Sequence, residues 1–191
     1  MPVGGGFLWD VVVAGAFVLL VVVPVALQAR ELPARARNIR RGIRGVLYTP
    51  LALIVLIPTA LMAFIVSRYL RFLQWGWLGV NIVAAPLTAV AGGSGNGSLV
   101  LLAVIIALLV PALVLFNYVE EREYRDSWRK VGVWALSHLI MGIPLFAVFP
   151  IFATGIVYKV VHDRQGLETA YVAHLTTNCV LLAIVLVSAA A

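Results

Sequence analysis

Long uncharged runs alternate with short polar clusters along the chain. Residues 11–27, 46–67, 99–119 and 169–188 are free of Asp, Glu, Lys and Arg, and 131–158 carries no charge apart from His138. About 20 apolar residues are needed to cross the roughly 30 Å hydrocarbon core of a bilayer, so each full run predicts a membrane helix. The 131–158 run is interrupted by Gly142, Pro144 and Pro150. Its two legs, about 13 to 15 residues or roughly 20 Å each, are short for a crossing and predict a helical hairpin turning at 142–144 in or near the far leaflet. Pro111, inside the 99–119 run, predicts a kink there. Residues 76–90 are ambiguous: short, holding Asn81 and Pro86, and followed by the flexible GGSGNGS, they either cross the membrane or dip into it. The fold class expected is all-α, a polytopic integral membrane protein of about six to seven membrane helical segments.

Composition agrees with this reading. The chain is 63% hydrophobic and 12% charged, with mean hydropathy +1.05, where soluble domains are roughly 25% charged. Its 191 residues form one membrane domain, with N-terminal helices and loops over 1–97 and core helices over 98–191. No stretch is long enough for a soluble second domain. Net charge +6 does not imply nucleic acid, because six of the fourteen basic residues fall in one connection, ARELPARARNIRRGIRG. Between two apolar spans, that stretch predicts a cytoplasmic loop over 30–44 touching anionic headgroups. No Lys or Arg precedes the first run, so it reads as an uncleaved helix with its N-terminus outside rather than as a signal peptide. The single Cys179 provides no disulfide framework.

After 48 uncharged residues, 72–119, the segment NYVEEREYRDSW gathers four of the eight carboxylates. Carboxylates beside hydrocarbon are costly and need a reason. One reason is a solvated helix end, since EEREYRDSWRK, with four acids and four bases, sums to zero charge. Another is chemistry. His138 lies eight residues past Lys130 and His174 six past Glu168, which puts both imidazoles roughly 9 to 12 Å below the surface where the acids emerge. Glu121 and Arg125 are spaced i,i+4 with the acid first, the favourable order for a helical ion pair. Glu120 points about 100° away from that pair. His174 and Asn178 share a helix face, as do Trp134 and His138. A carboxylate that accepts a water proton, imidazoles that hold the water or a metal, and an amide that donates to an oxyanion suit hydrolysis of a peptide bond.

These residues also carry a family resemblance. EEREYR matches EExxxR, WALSH resembles FxxxH with Trp134 in place of Phe, and HLTTN matches HxxxN. In that order, over about residues 111–185, the chain resembles the CAAX protease and bacteriocin-processing (CPBP, or ABI) family of intramembrane endopeptidases. The resemblance implies that Glu120 is the water-activating base and that Glu121 and Arg125 are its structural partners. It implies that His138 is a second ligand to water or metal, and that His174 and Asn178 stabilise the oxyanion. It further implies a membrane-associated peptide substrate, and a divalent metal such as zinc, held by Glu120, His138 and His174, or else a directly activated water. Two other functions fit parts of the pattern. One is a non-catalytic membrane partner or bacteriocin-immunity protein of the same fold. The other is a haem protein with His138 and His174 as axial ligands.

Overall fold

The computed structural model describes residues 7–78, 81–82, 87 and 96–190. All of the regular structure there is helical, and five helices are long and apolar enough to cross a membrane: Val11–Arg41, Ile43–Tyr69, Val100–Tyr124, Leu145–Gln165 and Leu167–Ser188. This is the architecture of a multi-pass membrane protein. Their outward faces are apolar, as on the second span, where Ile54, Ile57, Leu61 and Phe64 are exposed. Such a face is stable only against lipid or another apolar surface.

The first span is made of α1 (Phe7–Phe17), α2 (Val23–Gln28) and α3 (Leu32–Arg41), joined by a wide π-type turn over Val18–Val22 and a tight 3₁₀ turn over Ala29–Glu31. Pro24 explains the wide turn, because proline has no N–H for the carbonyl one turn back and its ring crowds that carbonyl. The basic stretch is therefore helical rather than a loop, and it continues the first span. Ala, Leu and Arg favour helix, and Gly42 ends it with its N–H on the Asn38 carbonyl at 2.9 Å. Arg37, Arg40, Arg41 and Arg44 are exposed. Arg35 turns inward, 3.1 Å from Glu31 and over the Tyr118 ring at 3.7 Å.

A 3₁₀ segment, Ile43–Tyr48, leads into α4 (Thr49–Tyr69). At Gly45 an added Cβ would lie 2.3 Å from the Thr169 carbonyl oxygen, so only glycine lets this backbone rest on the last helix. Next come α5 (Asn96–Tyr124), α6 (Trp128–Ser137), α7 (Val148–Gln165) and α8 (Leu167–Ala190). Ser127 caps α6 by accepting the Lys130 N–H. A short 3₁₀ turn, His138–Met141, then reaches Gly142, whose φ of 79° lies in the left-handed region that glycine adopts without strain.

The second leg after Gly142 is longer than its uncharged run suggests. The 21-residue helix Leu145–Gln165 carries on through Lys159, because Lys159 Nζ pairs with Asp163 at 2.6 Å and lies over the Trp128 ring. Of the ambiguous 76–90 stretch, most lies outside the described residues. The described part binds the turn: the Leu145 N–H donates to the Trp75 carbonyl, the Ile82 N–H to Met141, and Trp77 Nε1 to Leu139. That end of the bundle therefore carries the C-terminus of α4. The opposite end gathers α3, the start of α4, the end of α5 and the start of α8.

Candidate active site

The four acids of the cluster separate into two environments. Glu123 and Asp126 are solvated, pairing with Arg122 and Lys130 at 2.7 Å. The Lys130 hydrogen bond holds the Asp126 carboxyl below the usual carboxylate range. Glu121 is fully buried, as is Arg125. Arg125 Nε donates to both Glu121 oxygens at 3.1 Å, and Nη2 lies 2.9 Å from Oε1. The guanidinium covers the Trp134 ring at 4.0 Å. Trp134 in turn lies on Gly155, where a Cβ would come within 2.7 Å of the indole. A buried ion pair needs compensating contacts of this kind.

His174 joins this pair from α8. Its Nδ1 is 2.9 Å from Glu121 Oε1. A carboxylate only accepts, so Nδ1 carries the hydrogen and Nε2 is the working nitrogen. Nε2 faces Glu120 Oε2 at 3.7 Å, and Glu120 is 25% exposed. The ring stacks on Tyr158 at 4.5 Å and meets the edge of Trp134 at 5.4 Å. His138 is fixed in the same way: Nδ1 lies 2.8 Å from the Trp134 carbonyl oxygen, an acceptor, which leaves Nε2 with its lone pair. Asn178, one turn beyond His174, donates from Nδ2 to Asn117 Oδ1 at 3.0 Å.

One cavity of about 550 Å³ is lined by Glu120, Trp134, His138, Tyr158, His174 and Asn178, among others. Most of the rest of its lining is apolar and includes Leu109, Leu113, Leu182 and Val185. From Glu120 to Leu109 is eleven residues of helix, so the apolar part reaches roughly 16 Å from the carboxylate. Glu121 and Arg125 do not line it. The structure thus brings Glu120, His138, His174 and Asn178 to a common space and puts Glu121 and Arg125 behind it.

Among the described residues, no three His, Cys, Asp or Glu side chains are grouped to hold a metal ion. Glu121 is committed to Arg125 and to Nδ1 of His174, and the Trp134 carbonyl takes Nδ1 of His138, so these bonds leave Nε2 of each imidazole unengaged. Two site residues were not singled out from the sequence. Asn117 had a readable signal, a buried-type amide in an apolar run four residues before Glu121. Tyr158 had none that separates it from an interfacial aromatic. His162 stays away from the site, 3.7 Å from Asp163.

No family model, no curated protein and no solved structure matches the chain.

Proposed function

We propose that the protein is an intramembrane endopeptidase of the CAAX protease and bacteriocin-processing kind. The observation that carries this reading is the division of labour between adjacent glutamates. Glu121 is locked by Arg125 and His174, while Glu120 keeps partial exposure and faces a cavity shared with His138, His174 and Asn178. A solvated helix end accounts for Glu123 and Asp126, but it gives no reason to bury Glu121 and Arg125 completely.

The chemistry follows from the tautomers. A water in the cavity gives a proton to Glu120 and attacks the scissile carbonyl carbon, forming the new C–O bond. His138 Nε2, with its lone pair, accepts the water's other hydrogen and orients it. The developing oxyanion accepts from the Asn178 amide and from His174 Nε2. Because His174 Nδ1 already donates to Glu121, donation from Nε2 requires the doubly protonated ring, and the Glu121 carboxylate stabilises that charge. When the C–N bond breaks, Glu120 returns its proton to the leaving amine. The apolar depth of the cavity suits a substrate with a hydrophobic segment next to the cleaved bond.

The exposed arginines of α3 share one end of the bundle with the site, since Arg35 stacks on Tyr118. Positive-inside bias makes that end cytoplasmic and puts the N-terminus outside. On this topology α6 and its turn run from the cytoplasmic end to the end that holds Gly142, and α7 returns, so the membrane segments among the described residues number six with α6 included. The test is to compare peptides in membranes holding wild type with those holding Glu120→Ala. A peptide cut only by wild type supports the reading, and identical peptide sets count against it. A haem protein would explain two imidazoles but neither the Glu121–Arg125 pair nor the joined amides. A visible spectrum of the purified protein without a Soret band separates the two.

A further inference from the structure

The helices α5 and α8 are linked by two parallel polar rungs. Glu121 meets His174, and one helical turn deeper Asn117 meets Asn178. Four residues separate the members on each helix, with the numbering running in opposite directions, so both rungs follow from one antiparallel register. The outer rung fixes an imidazole of the site. The deeper one fixes an amide of the site in the same manner.

Asn117 is 2% exposed. Its Oδ1 accepts from Asn178, but its own Nδ2 is buried with no hydrogen-bond partner among the described residues. An amide kept only to tie two membrane helices together would satisfy both of its ends, because an unpaired N–H in a hydrocarbon setting is costly. What Asn117 does supply is an acceptor. That acceptor occupies one N–H of Asn178, and the planarity of the carboxamide then fixes where the second N–H and Oδ1 point. Both residues line the cavity that holds Glu120 and His174. We infer that Asn117 is a positioning residue: its Oδ1 holds the Asn178 carboxamide so that the free N–H is delivered to the oxyanion of a peptide substrate. This rests on the endopeptidase reading for its consequence, though not for the hydrogen bond itself.

The test has two arms. In the first, protein labelled with ¹⁵N-asparagine is purified in micelles, where the chain's five asparagines, 38, 81, 96, 117 and 178, give a small set of side-chain amide signals. The Asn178 pair is identified by its loss in Asn178→Leu. Asn117→Leu is expected to shift that pair and speed its exchange with solvent, while Asn117→Asp, an acceptor in either protonation state, keeps it near its wild-type position. Asn117→Ala removes the acceptor without adding bulk and is run beside the leucine variant. Unchanged Asn178 signals in both acceptor-free variants would overturn the inference.

The second arm uses the membrane peptide whose cleavage is lost with Glu120→Ala. Removing the Asn117 acceptor should lower kcat by about tenfold or more with KM held within about twofold, the pattern of an interaction used in the transition state. Asn117→Asp should restore most of kcat, and adding Asn117→Leu to Asn178→Leu should cost nothing further, because the two residues act as one device. Wild-type kcat in Asn117→Ala, with Glu120→Gln inactive, defeats the positioning role alone. Full activity in Glu120→Gln defeats the endopeptidase reading instead, and the amide signals still decide whether Asn117 holds Asn178.

Discussion

Neighbouring carboxylates, Glu120 and Glu121, differ by a single step along one helix, and about 100° of rotation gives them opposite tasks. Glu121 turns into the bundle and meets Arg125 and His174; Glu120 turns to the cavity. Removing one partner of a fully buried ion pair strands the other, at a cost of about 3 to 5 kcal/mol. Arg125→Ala is therefore expected to lower the melting temperature sharply in detergent, whereas Asp126→Asn, which breaks a solvated pair, leaves it unchanged. Equal melting of the two variants would remove the structural role of Arg125. No three His, Cys, Asp or Glu side chains are grouped to hold a metal among the described residues, which makes a second residue-scale prediction. Cleavage should persist after exhaustive treatment with a zinc chelator, and inactivation reversed by added zinc would contradict it. The i,i+4 spacing made the Glu121–Arg125 pair readable from the sequence. The partner of Asn178 was not, because an asparagine in an apolar run announces that it needs a partner without saying which helix supplies it.

At the scale of elements, α6 depends on a missing side chain in α7. Trp134 touches both site imidazoles, stands under the Arg125 guanidinium and lies on Gly155. Gly155→Val drives a branched side chain into the indole, and overpacking of this kind costs about 1 to 3 kcal/mol. The expected outcome is a lower melting temperature together with loss of cleavage, read by thermal unfolding and by assay of the same sample. A Gly155→Val protein with wild-type stability and turnover would show that Trp134 does not set the site's geometry. The apolar runs gave away the long helices, since an unbroken apolar run of about 20 residues crosses a bilayer as a helix that closes its backbone hydrogen bonds within the segment. Two boundaries were harder to read, for related reasons. The basic stretch resembles a loop by charge, yet Ala, Leu and Arg continue the helix through it. Lys159 resembles a helix end, yet Asp163 and Trp128 offset its charge and the helix continues to Gln165.

At the scale of the whole molecule, the exposed arginines, the acidic cluster and Glu120 lie at one end of the bundle, with Trp77 and the Gly142 turn at the other. In a Cys179→Ser background, a cysteine at Arg41 and one at Glu123 should react with an impermeant maleimide from the same side of sealed vesicles, and one at Trp77 from the opposite side. Labelling of Arg41 and Glu123 positions from different sides would break the topology. The central claim is that a single carboxylate, Glu120, activates water in the shared cavity. The most direct measurement is cleavage of the identified membrane peptide by purified Glu120→Gln, with its melting matched to wild type and His174→Ala assayed in parallel. Glutamine keeps the size and hydrogen-bonding capacity of glutamate but cannot take the water proton, so the account predicts a loss of roughly 10²-fold or more in kcat. A glutamine variant that cuts as fast as wild type, alongside an active His174→Ala, would contradict it.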